Sequence, residues 1–165
     1  MLRTHYVNQI TPDLFNKSVT LAGWVHEIRN FGNLTFIILR DRSGLIQITL
    51  KKGVTAPELS DTTSKLVKET AIICTGLVNP TPKAAVGREL TPTSIEVIGP
   101  VLKQVPFEVT GKVPADLDVR LDHRFIDLRR LETTAVFKIR SAAQRAFREK
   151  LLELEFQEIT TPCIV

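Results

Sequence analysis

Cysteine is scarce: the 165 residues hold two, Cys74 and Cys163. They form no CxxC pair and have no histidine cluster beside them, which argues against a zinc site or a disulfide framework. Buried free thiols in a reducing compartment are the expectation. Long apolar runs are also missing. The longest, such as Thr35 to Leu39, fall far short of the roughly 20 residues that cross a bilayer, so no membrane partner is expected. The first ten residues, MLRTHYVNQI, lack the apolar core of a signal peptide, and a cytoplasmic location is expected. Catalytic equipment is equally thin. No glycine-rich phosphate loop occurs, and His5, His26 and His123 belong to no plausible Ser-His-Asp or Cys-His set. No catalytic residue and no metal ligand is therefore assigned.

What remains is ordinary globular chemistry. Hydrophobic residues make up 43% and charged residues 24%, which excludes disordered, collagen-like and coiled-coil classes. Length allows one ordinary domain, or a small one plus part of another. The net charge is +4, of which +3 lies before Pro100. That excess suits a polyanionic partner but is common among soluble proteins of every kind.

The first hundred residues read as a β-rich module. Val19–Val25 and Leu34–Leu39 are β-branched and aromatic runs, and Leu45–Leu50 alternates as a half-buried strand should. A helix is predicted over 57–68, opening on Pro57 and Glu58. Ala71–Val78 and Ile95–Val97 read as two more strands, separated by a Pro- and Gly-containing stretch at 79–94. Three strands, a helix and two strands is the order of an OB-fold, a five-stranded Greek-key barrel. Another small barrel or a sandwich fragment fits the same pattern. Residues 99–119 read as an extended linker. Beyond it, 132–155 is an amphipathic helix with Val136, Ile139, Ala143, Phe147, Leu151 and Leu154 on one stripe, and Phe156 to Val165 reads as the start of a strand.

If the barrel binds an oligonucleotide, its second and third strands carry the surface. Phe36 and Ile38 point one way, Thr35 and Ile37 the other. Gln47 stands outward between Ile46 and Ile48. A stacking ring beside an amide that donates and accepts is what single-base readout needs; a core Phe and a solvated Gln would look the same in the sequence. Arg29 closes the first strand within reach of a phosphate or base edge. His26 alternates with Trp24, Lys83 sits in the loop before the last strand, and Arg40-Asp41-Arg42 reads as a hairpin turn held by local ion pairs.

These residues also carry a family resemblance. The run GWVHEIRNFGNLTFIILRDRSGLIQIT resembles the anticodon-binding domain of class IIb aminoacyl-tRNA synthetases. THYVNQIT at 4–11 and GKVPADLDVRLDHRFIDLRRLE at 111–132 are similar to archaeal-type aspartyl-tRNA synthetase, the second block matching the hinge between barrel and catalytic domain. RSAAQRAFREKLLELEFQEITTPCIV resembles motif 1, the helix and strand of the class II dimer interface. The resemblance implies an anticodon-binding domain at 1–104, a hinge at 105–131 and motif 1 at 132–165. It implies that Phe36 stacks on the middle anticodon base, that Gln47 reads its edge, and that Arg29 contacts the same nucleotide. Glu96 falls where bacterial relatives place a carboxylate near the first anticodon base. Phe147, Leu151, Phe156 and Pro162 fall in the homodimer interface.

His26 and Ala85 bear on tRNA choice. Enzymes restricted to tRNA-Asp tend to carry Trp and Lys at these places, and relaxed ones carry His and a residue such as Pro, so this chain resembles the type that also accepts tRNA-Asn. Where motif 1 usually has Gly before its strand, this chain has Glu155. The family uses ATP and Mg²⁺, held by residues of motifs 2 and 3 that this sequence does not contain, so the chain alone is expected to need no cofactor and to be inactive. The leading expectation is a partial aspartyl-tRNA synthetase that binds tRNA. Alternatives are part of an asparaginyl-tRNA synthetase, a free-standing module for tRNA or single-stranded nucleic acid, and a nonbinding remnant.

Overall fold

Alternation of buried and outward side chains governs the first two-thirds of the chain. The computed structural model describes residues 2–84 and 86–162. Five strands, β1 (Ser18–Asn30), β2 (Leu34–Arg40), β3 (Leu45–Lys51), β4 (Ala71–Pro80) and β5 (Arg88–Gly99), close into a barrel in the order β1-β2-β3-β5-β4. A helix, α1 (Pro57–Ser64), joins β3 to β4. All neighbouring pairs are antiparallel except β3 and β5, whose parallel pairing closes the cylinder. The inward side chains Val19, Leu21, Val25, Ile37, Leu39, Ile46, Ile48, Ile72, Val78 and Leu90 are almost wholly buried and form one core. Closure leaves no free sheet edge, which suits strands this apolar.

β5 begins at Arg88, inside the stretch 79–94 read as a connection, so Ile95–Val97 is only part of it. Pro92 is the reason this strand is hard to see, because proline cannot donate to a ladder. It lies opposite Gly76, where the β4–β5 register shifts. A Cβ on Gly76 would lie 2.3 Å from the Thr91 carbonyl oxygen, so only glycine lets the two backbones approach there. β1 also carries a bulge between Val25 and Glu27, with His26 at its centre. The His26 Nδ1 takes a hydrogen bond from Arg40 Nη1 at 3.0 Å.

The hairpin turn after β2 is held differently from the sequence reading. Asp41 binds it locally, accepting from the Ser43 and Gly44 amides, and also accepts from the Val7 amide. Arg40 reaches past β1 to a bidentate pair with buried Glu69, at 2.9 and 2.8 Å.

The chain divides into two units, Met1–Val105 and Pro106–Val165. Part of the second unit was read as linker, yet two short helices, α2 (Leu117–Asp122) and α3 (Arg124–Asp127), lie within 111–132. Asp127 is fully buried and accepts from Arg120 Nε at 2.7 Å, from Arg124 and from Thr133. Burial alone would push this carboxyl up. The Arg120 and Thr133 bonds and the Arg120 and Arg124 charges outweigh burial and hold it below the usual carboxylate range.

α4 (Leu131–Glu153) ends in a Schellman cap: the Phe156 amide donates to Leu151 O and the Glu155 amide to Leu152 O. Glu155 adopts φ +63°. The αL turn that glycine usually supplies is therefore kept, with a side chain on it. The strand read over 156–165 does not form in residues 156–162, which run as irregular chain; residues 163–165, Cys163 among them, lie outside the described residues. A strand is made by pairing with a neighbour, and composition alone does not supply one.

Candidate nucleic-acid interface

β2 and β3 pair so that Phe36 lies opposite Thr49 and Ile38 opposite Gln47. Ile37, Leu39, Ile46 and Ile48 fill the core, so strand alternation turns Phe36, Gln47 and Thr49 outward, each half-buried. The parallel rung Gln47↔Glu89 then sets Glu89 beside them. Gln47 Nε2 donates to Glu89 Oε2 at 2.9 Å and to Thr49 Oγ1 at 3.2 Å, and Thr49 Oγ1 donates to the same carboxylate oxygen at 2.6 Å. Both hydrogens of the Gln47 amide are thereby committed, and Oε1 is the group left to meet a ligand.

These side chains floor a groove of about 600 Å³. Arg29, Lys51 and Lys83 stand on its rim, and Phe31 and Val54 add apolar walls. Arg29 is half-exposed and pairs with Glu27 at 2.6 Å. The groove thus combines an aromatic face, an oriented acceptor and a cationic margin, the equipment for a base with its phosphate.

Four of the sequence-selected residues, Phe36, Gln47, Arg29 and Lys83, meet in this groove. Two others do not line it. His26 sits at the β1 bulge against Arg40, and Glu96 is exposed further along β5, opposite Ile73 of β4. Ala85 lies outside the described residues.

Sequence reading missed Glu89, Thr49, Lys51 and Phe31. Glu89 had a usable signal: the OB strand order sets β5 beside β3, and Glu89 precedes the inward Leu90 as Gln47 precedes Ile48.

Of the side chains expected at a dimer interface, Phe147, Phe156 and Pro162 are exposed and Leu151 is partly covered. Phe147, Leu151 and Phe156 share a cleft with Gln144, Arg148 and Glu158. Among the described residues no group of three His, Cys, Asp or Glu side chains is placed to hold a metal ion. No described helix is long and apolar enough to cross a membrane.

Comparison with known proteins agrees with this geometry. Residues 19–98 match the anticodon-type OB-fold nucleic acid binding domain, and residues 116–165 match the class II tRNA synthetases (D, K and N). The chain is 47% identical to an aspartate–tRNA(Asp/Asn) ligase of Methanosarcina acetivorans, over 99% of its own length and 37% of the ligase. It is also 47% identical to an aspartate–tRNA(Asp) ligase of Pyrococcus horikoshii, over 100% of its length and 38% of that protein. The crystal structure of asparaginyl-tRNA synthetase from Pyrococcus horikoshii superposes with a TM-score of 0.87 at 29% identity, covering 100% of this chain and 39% of that one. The chain therefore spans little more than a third of the length of these relatives. The chain thus joins an OB-fold domain of the anticodon-binding type to the start of a class II tRNA synthetase domain of the aspartate, lysine and asparagine group.

Proposed function

We propose that the barrel binds the anticodon loop of tRNA-Asp within an aspartate–tRNA ligase, whose ATP- and Mg²⁺-dependent chemistry belongs to regions beyond those matched here. In this reading 1–104 is the anticodon-binding domain, 105–131 the hinge and 132–165 motif 1, which joins two copies through Phe147, Leu151, Phe156 and Pro162 in the cytoplasm. The observation that carries the reading is the Gln47 amide fixed by Glu89 and Thr49 beside the outward Phe36.

With Nε2 engaged, Gln47 offers an acceptor. Uracil fits it by donating from N3–H; in the same pose cytosine presents the N3 acceptor, setting two lone pairs face to face, and its N4–H₂ donor reaches Oε1 only if the base shifts. Phe36 supplies the stacking face, and Arg29, Lys51 and Lys83 supply phosphate contacts.

Titrating the chain into a labelled RNA hairpin bearing the aspartate anticodon loop tests this. Phe36→Ala should weaken binding by about 1–3 kcal/mol. Replacing Lys83 by Ala should reduce the slope of log affinity against log salt by about 0.7, one single-strand phosphate contact. Unchanged affinity in the Phe36 variant overturns the assignment.

A second activity, charging of tRNA-Asn, is proposed from His26 standing where restricted enzymes tend to carry Trp. Its ring is held by Arg40 at the bulge rather than offered to the groove, so it adds no stacking face against a wrong first base. Charging assays on both tRNAs with the whole ligase test it, and strict preference for tRNA-Asp refutes it.

A further inference from the structure

One aromatic in the groove has no part in the reading above. Phe31 occupies the tip between β1 and β2 and is 68% exposed, yet its backbone is firmly placed. Its amide donates to Leu34 O at 2.8 Å and its carbonyl accepts from the Asn33 amide at 2.9 Å. The Gly32 amide donates to Asn30 Oδ1 at 3.0 Å, and the Asn33 carbonyl is anchored by the Lys52 amide at 2.9 Å. The turn therefore holds the ring out toward solvent at a fixed point. That ring lies 5.9 Å from the Phe36 ring, centroid to centroid, with 64° between the planes.

We propose that Phe31 is a second base platform, taking the nucleotide next to the one stacked on Phe36. The proposal rests on the reading of the groove as an anticodon site and adds a second position to it. Two observations favour a platform over a prop for Phe36. An edge contact covers little of Phe31, and a side chain that only buttressed its neighbour would not stay two-thirds exposed. Phe31 and Val54, both apolar and exposed, line the same groove as Phe36, together with Arg29 and Lys51, whose charges suit phosphates. The 64° angle sets the geometry of the ligand. Bases stacked on each other lie parallel, and two parallel bases cannot lie flat on both rings. The occupant is single-stranded RNA with two consecutive bases splayed apart, as unpaired loop nucleotides allow.

The test uses the full chain as wild type, Phe31→Ala, Phe31→Trp and Phe36→Ala. Each is titrated against the aspartate anticodon hairpin and against hairpins made abasic at one loop position at a time. Phe31→Ala should weaken binding to the intact hairpin about five-fold or more, the lower end of what a base–aromatic stack provides. Phe31→Trp should restore it. On the hairpin abasic beside the middle anticodon base, Phe31→Ala and wild type should bind alike.

Equal affinity of Phe31→Ala and wild type on the intact hairpin overturns the proposal. So does a defect that disappears only when the middle base is missing, because Phe31 would then act through Phe36. Loss in Phe36→Ala without loss in Phe31→Ala sinks the second platform alone, and no loss in either sinks the groove reading itself.

Discussion

Glu69 offers a stringent test of how the barrel is held. It is buried, adopts φ +70°, and forms two short bonds with Arg40; the two side chains are 5% and 9% exposed. Its own amide donates to Val25 O at 2.7 Å, and the Val25 amide donates to Thr70 O at 2.9 Å, so Glu69 and Thr70 extend the backbone bonding beside the β1 bulge. Truncating one partner of a buried pair strands the other, at a cost of about 3–5 kcal/mol. Arg40 keeps one bond, to His26, so Glu69→Ala should cost about 3 kcal/mol, the lower end. Glycine removes the same carboxylate but takes positive φ without the αL penalty of roughly 1–2 kcal/mol, so Glu69→Gly should be less damaging by about 1 kcal/mol. Urea unfolding followed by Trp24, the only tryptophan and the ladder partner of Arg40, reads both values directly. A loss under 1 kcal/mol in Glu69→Ala refutes the buried-pair argument. A Gly variant no more stable than the Ala variant refutes the argument from φ.

Three further outcomes are expected. Glu89→Gln should narrow the preference for uracil over cytosine at the middle anticodon position by about ten-fold, or 1.4 kcal/mol, because the Gln47 amide is then free to turn; competition between two hairpins measures it, and an unchanged preference removes Glu89 as the orienting group. Cys74 is buried, which pushes its thiol up to about 12, so a thiol-specific reagent at neutral pH should leave it unmodified until urea unfolds the barrel, as peptide mapping would show. Glu155→Gly should stabilise the end of α4 by roughly 1 kcal/mol, since the αL position exists already and only the side chain is strained there; slower amide exchange at Phe156 checks it.

The barrel was legible because its signal is local and repeated. Inward residues such as Ile37, Leu39, Ile46 and Ile48 alternate with outward ones, and turns separate the runs. The parts that escaped depend on distant partners. Pro92 disguises β5, since the glycine that accommodates it stands on another strand. The Arg40–Glu69 pair spans 29 residues, so a reading confined to the turn assigned Arg40 to its neighbours. Residues 156–162 have the composition of a strand but run as irregular chain, because composition does not supply the pairing a strand needs. In the groove, Phe36 and Gln47 were legible from alternation within their own strands. Phe31 was not, because a ring at a hairpin tip leaves no periodic trace.

The parallel contact between β3 and β5 ties the core to the groove. Its register consists of two rungs, Gln47↔Glu89 and Ile48↔Leu90. The second faces inward, and both its side chains are fully buried; the first faces outward and orients the Gln47 amide. Successive residues of a strand point to opposite faces, so one pairing both closes the barrel and sets Gln47 against Glu89 in the groove. The consequence is an asymmetry in where the site tolerates change. On the proposed reading, a substitution at Gln47 or Glu89 would alter the ligand preference while leaving the core filled. A one-residue slip of β5 would invert both rungs, burying Glu89 and exposing Leu90, so register here is fixed by the apolar rung. The polar rung is therefore free to vary its chemistry without endangering the fold, and specificity for a base can change by exchanging two outward side chains on an unaltered barrel.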